Sequence, residues 1–234
     1  MTVKKLSLSS GYETSDWETF LSCWIDRYTG PVNDKTRTIV FGHTTTAKTP
    51  PDLEKAERTL GFALPRSLRD FLEVYNPDLD WLDERIARRE SFMLPAGRLE
   101  LLSIFDPDTY SIWTEEESEA EDDEYFVYGK GQDNCVFRSE YFPNLVFLGK
   151  TSLNDFVLLN PLVSTEDGEM EVVLHSSFSI FRTLSFATMM RSLYCYECEK
   201  VTSYPPYSEG FLNLGCGKLI VSKGGFNLEV QHRP

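Results

Sequence analysis

The residues of this chain whose types could do chemistry are three histidines, five cysteines and one dense run of carboxylates. Cys195-Tyr196-Glu197-Cys198 has the spacing of half a zinc site, and Cys216 offers a third sulfur. No second Cys-x-x-Cys accompanies it and no histidine lies between Cys195 and Cys216, so the pair reads as two small hydrophobes at a helix end. The cysteines are odd in number and scattered, unlike a secreted disulfide framework, and reduced thiols are expected. His43, His175 and His232 fall on segments that read as a loop, a strand end and a tail, and nothing beside them marks a nucleophile. Gly129-Lys130-Gly131 lacks the rest of a phosphate loop and reads as a hairpin turn. No metal, cofactor or catalytic residue is expected.

The carboxylates are more informative. Glu115, Glu116, Glu117, Glu119, Glu121, Asp122, Asp123 and Glu124 lie within ten positions that contain no cation. They supply eight of the negative charges behind a formal net charge of −14, and without them the chain would stand at −6. Neighbours in the run sit within a Debye length of about 8 Å, so they repel one another until a cationic surface meets them. This balance argues against nucleic-acid backbones and anionic membranes as partners and for a basic protein. Trp113 and Tyr125 flank the run and are aromatic residues of the kind enriched at interface hot spots, although strand-end packing would also account for them.

The elements that must hold these residues can be read from periodicity. Ser15 and Glu18 have capping-box spacing, and Trp17, Phe20, Leu21, Trp24 and Tyr28 follow as one apolar helical stripe ended by Gly30-Pro31. Residues 36–41 read as a strand. A helical hairpin follows. Its first helix carries Leu53, Ala56 and Leu60 and closes at Gly61, and its second opens at Pro65 and buries Leu68, Phe71, Leu72 and Tyr75. Arg66 and Arg69 lie off that stripe and read as solvent-facing.

Residues 99–105, 125–128, 135–137 and 145–148 read as short strands, being aromatic or β-branched and separated by Gly, Pro, Asn and Asp. Residues 156–159 form a strand that Pro161 stops, and residues 171–175 form the next, with Asp167-Gly168 turning between them. Ser185 then caps a helix whose Phe186, Met189, Met190 and Leu193 face the sheet. Residues 218–222 and 226–230 read as a terminal hairpin. Helices, then strands, then a helix make an α+β fold: a mainly antiparallel sheet with a helical hairpin and a late helix packed against it.

In this order the elements resemble the SUKH superfamily, which includes immunity proteins of bacterial polymorphic toxin systems and yeast regulators of cell-wall synthesis. Three blocks carry the resemblance: LGFALPRSLRDFLEVYN in the hairpin; DDEYFVYGKGQDNCVFRSEYFPNLVFLG, with Tyr128-Gly129 and Arg138 to Tyr141; and LLNP, DGE and the final SF-plus-helix. Many relatives carry a tryptophan just after DGE, where Met170 stands here.

The resemblance implies a single domain over residues 1–234, with a core of about 52–193, an N-terminal helical extension over 1–50 and a C-terminal extension over 194–234. It implies a non-enzymatic immunity protein that occludes the active or substrate-binding surface of a cognate toxin. Its alternative is a regulatory scaffold with several partners. The acidic run favours a basic, nuclease-like toxin. No apolar stretch of membrane-spanning length and no apolar leader behind Lys4 and Lys5 is present, so a cytoplasmic address is expected.

Overall fold

The computed structural model describes residues 3–12, 16–21, 52–75, 92–115, 120–151, 154–176, 179–198, 212–214, 217–222 and 225–229. Its centre is an antiparallel sheet built from strands that are apolar on both faces. Five strands run in the order β2 (Phe92–Met93), β4 (Val146–Lys150), β5 (Phe156–Ser164), β6 (Met170–His175) and β7 (Ile180–Thr183). Two short strands extend it: β1 (Lys4–Lys5) lies parallel to the far end of β5, and β3 (Glu100–Leu101) pairs with β4.

Side chains alternate across a strand, so cross-strand partners share a face. Phe156 opposite His175, Asn160 opposite Glu171 and Val173 opposite Arg182 define one face. Val157, Leu159, Val172 and Leu174 belong to the other, and all four are buried.

Helices cover that second face. The hairpin forms as its sequence predicts, with α1 (Leu53–Leu60) capped by the Asp52 side chain and closed at Gly61, whose φ of 82° is the left-handed conformation glycine adopts freely. Helix α2 (Arg66–Val74) follows. Glu57 fastens the turn by accepting from the Leu64 amide at 2.9 Å and pairing with Arg69. Arg69 is therefore a clasp and only partly faces solvent.

The late helix, called α6 here (Phe186–Cys198), packs against α2, β6 and β7, and its N-cap is Ser185, whose hydroxyl accepts from the Thr188 amide. Phe71 lies 4.9 Å from Phe186 and 5.2 Å from Trp17, ring centre to ring centre, so the helical residues 17–21 join the same aromatic core. Asp16 caps them, accepting from the Thr19 amide at 3.0 Å. Trp24, Tyr28 and the strand expected over 36–41 lie outside the described residues.

The DGE motif joins sheet to hairpin. Gly168 turns at φ 82°. Glu169 is buried and accepts from both the amide and the hydroxyl of Ser67 in the first turn of α2, satisfying a helix-end donor. Asp167 does not simply close its own turn. It also accepts from Ser9, from the amide and hydroxyl of Ser10 and from the Gly11 amide, fastening the N-terminal strap.

Several elements differ from the sequence expectation. Residues 125–128 and 135–137 form no strand. Residues Asp122–Tyr125 are a helical turn (α5), with carboxylates at its positive end, and the aromatic side chains that suggested strands lie across the first face of the sheet. Of residues 99–105 only Glu100–Leu101 pair. The rest is α3 (Leu102–Phe105), and Asp106 then caps α4 (Pro107–Thr114), whose first residue is proline. Gly129–Gly131 is a turn of 3-10 helix. Pro161 does not stop β5. It sits where pairing skips from Asn160↔Glu171 to Ser164↔Met170, so its missing N–H costs the ladder nothing.

The terminal hairpin is present as β9 (Gly217–Ser222) and β10 (Gly225–Glu229), in a separate three-stranded sheet with β8 (Leu212–Leu214).

Candidate functional site

The first face of the sheet holds a group of polar residues on apolar strands. Glu171, Arg182 and Asn160 are each buried, in strands that otherwise carry hydrophobic side chains. The Glu171 carboxylate accepts from Tyr125 Oη at 2.9 Å, Tyr128 Oη at 2.7 Å and Asn160 Nδ2 at 2.8 Å, and the Arg182 guanidinium lies 3.9 Å away. Arg182 also donates to the Tyr125 carbonyl, while its backbone and Gln132 exchange two hydrogen bonds of 2.7 and 2.9 Å. Among the described residues its Nε and Nη2 meet no acceptor, and the guanidinium instead stacks 3.9 Å from the centre of the Tyr125 ring. Burial pushes the Glu171 carboxyl up, against the pull of Arg182 and the three donors. Burial likewise raises the phenols of Tyr125 and Tyr128, so both stay neutral donors.

This network anchors the acidic segment. Tyr125 is the last residue of α5, and its fully buried side chain ties that turn to the sheet. It is therefore not the surface aromatic that its sequence position suggested. Outside, Glu121, Asp122, Asp123 and Glu124 are exposed, as is Glu115 at the end of α4. Glu116, Glu117 and Glu119 lie outside the described residues.

Asp122 differs from its neighbours because Lys4 and Arg138 both pair with it, the latter at 2.6 Å. The hydrogen bonds from Lys4 and Arg138 hold its carboxyl below the ordinary range. Arg138 donates further to the Ala120 carbonyl at 2.8 Å, so one arginine grips both ends of the step into α5. The remaining described acids of the run have their charge free for a partner.

Trp113 is half-buried and turned toward the sheet. It stacks on His175 with ring centres 3.7 Å apart and meets Phe156 edge-on at 5.0 Å. Burial depresses His175 to about 4, so the imidazole is neutral at pH 7. Sequence reasoning found the acidic run but missed the network beneath it. The available signal was polar residues, Asn160, Glu171 and Arg182, standing one in each of three adjacent apolar strands.

Cys195 and Cys198 fall on the last turn of α6, and Cys216 lies outside the described residues. Among the described residues, no three His, Cys, Asp or Glu are grouped to hold a metal ion, and no helix is long and apolar enough to cross a membrane.

No curated protein and no solved structure gives a match. The model of the SMI1/KNR4 family (SUKH-1) matches residues 49–192, which contain the hairpin, the acidic segment and the five-stranded sheet. That span is more than half of the chain, and the chain belongs to this family, which is typical of immunity proteins in polymorphic toxin systems.

Proposed function

We propose that the protein is an immunity protein that binds a cognate toxin and covers its active or substrate-binding surface with the acidic segment 115–124. Membership of SUKH-1, a family of generally non-catalytic immunity and regulatory proteins, carries this reading. Exposed Glu115, Glu121, Asp123 and Glu124 support it, the last three on or beside α5, which the buried Tyr125 ties to the sheet. A toxin that holds phosphates needs a cationic cleft, and a fixed array of carboxylates both steers association to such a cleft and competes with its substrate.

The test is rescue of cells that express the toxin encoded beside this gene, together with binding kinetics of the purified pair. Replacing Glu115, Glu121, Asp123 and Glu124 by Gln or Asn is expected to slow association about tenfold or more at low salt and to flatten its salt dependence. Unchanged kinetics would remove the run from the interface. Recovery of several weak partners in place of one toxin would favour a regulatory adaptor.

A further inference from the structure

Among the described residues, helix α4 leaves one face without a partner. None of its eight residues is buried. Thr109, Tyr110, Trp113 and Thr114 are half-buried toward the protein, whereas Asp108, Ser111, Ile112 and Glu115 are exposed. Those four positions follow i, i+3, i+4 and i+7 and therefore form one stripe. Within it Ile112 is 62% exposed, with a carboxylate one turn before it and another one turn after. Ile104 on the preceding helix α3, which packs against α4, is 64% exposed. Among the described residues the other exposed large hydrophobic side chains, Val3 and Leu8, belong to the N-terminal strap. The stretch 99–129 contains eleven carboxylates and no Lys, Arg or His.

Resting on the toxin-binding reading above, we propose that this stripe is the docking surface for a basic amphipathic helix of the partner, with Ile112 and Ile104 as its apolar contacts. Charge identifies the occupant. Asp108 and Glu115 are seven residues apart, about 10 Å along the helix axis, with Ile112 between them. The complementary element carries an apolar side chain flanked by Lys or Arg about one turn to either side. A purely cationic segment leaves the isoleucines in water, and a purely apolar one buries carboxylates without counter-charges. The anchor next to the acidic run is thus Ile112, while the adjacent Trp113 braces α4 from below against His175.

Two synthetic peptides test this directly: a lysine-rich helix with leucines on one face, and the same peptide with those leucines replaced by serine. The protein is expected to bind the leucine peptide at least about tenfold more tightly. The double variant I104S/I112S should bind both peptides as the wild type binds the serine peptide, with unchanged helical signal and melting temperature, since both side chains are already in solvent. Equal affinity of the wild type for the two peptides, or a preference that survives I104S/I112S, would overturn the proposal. With the adjacent-gene toxin, I112S should speed dissociation about tenfold at unchanged association rate. Unchanged dissociation from a toxin that the protein still neutralises would sink the docking stripe and leave the immunity reading standing. Failure of the wild type to rescue would remove that reading, and the peptide comparison would still decide the surface.

Discussion

His175 couples the pH of the solution to the ground beneath α4. Its pKa is about 4 against 6.5 for the free side chain, chiefly through burial, so the unfolded chain binds the extra proton first as pH falls. The stability this contributes is complete above pH 6.5 and is lost as pH drops toward 4, with an upper bound on the order of 3 kcal/mol. Stacking of an imidazolium on Trp113 would return about 1 kcal/mol of that. His175→Phe, which preserves a ring at the stack, should flatten the difference in urea midpoint between pH 7 and pH 4.5. An undiminished acid limb in that variant would show the loss arises elsewhere. Glu171 sets a larger stake: Glu171→Ala strands a buried guanidinium and three donors, and should cost about 3–5 kcal/mol by denaturant titration. Tyr125→Phe removes one donor only and should cost about 1–2 kcal/mol.

Among the elements, those governed by local rules were legible in the sequence. The hairpin, the Gly168 turn, β6 and the capped late helix follow from spacing, caps and glycine conformation, and each lies where the residues placed it. Residues 125–137 were not legible because aromatic content signals burial as readily as strand pairing. Here Tyr125, Tyr128 and Phe137 roof the first face of the sheet, and the outer edge of β7 makes single hydrogen bonds to this segment in place of a ladder, from the Ile180 amide to the Asn134 carbonyl and from the Arg182 amide to Gln132 Oε1. The run 115–124 was legible as charge, but its division into free acids and an internally paired Asp122 depends on Lys4, 118 residues away in sequence. The strap that carries Lys4 depends in turn on Asp167. Hydrogen bonds from Thr165, Ser10 and Ser9 outweigh partial burial and hold that carboxyl well below its usual range. Its contribution is present above the unfolded carboxyl pKa and is lost only as pH falls through the lower folded value. Asp167→Ala should expose the segment 3–12 to protease and lower hydrogen-exchange protection of the Leu6 amide, which donates to the Ser164 carbonyl at 2.8 Å, by about tenfold or more. Protection equal to wild type would mean that β1 pairing alone secures the strap.

For the molecule as a whole, a net charge of −14, with eight negative charges carried by one segment, makes association rate the quantity most sensitive to ionic strength. Raising salt from about 0.05 to 0.5 M should slow capture of a basic toxin by about tenfold or more while leaving dissociation nearly unchanged, as stopped-flow measurement would resolve. A dissociation rate that climbed equally with salt would instead put charged pairs at the centre of the contact.

The parallel pairing of Lys4–Lys5 with Val163–Ser164 also has a temporal side. On the ribosome, residues 4 and 5 emerge long before the strand that receives them has been made. At a few residues per second to about twenty, they wait several seconds or more for their seat. The acidic turn gains its lysine clamp only after that late closure, so a nascent chain carries this negative surface before it is pinned in place.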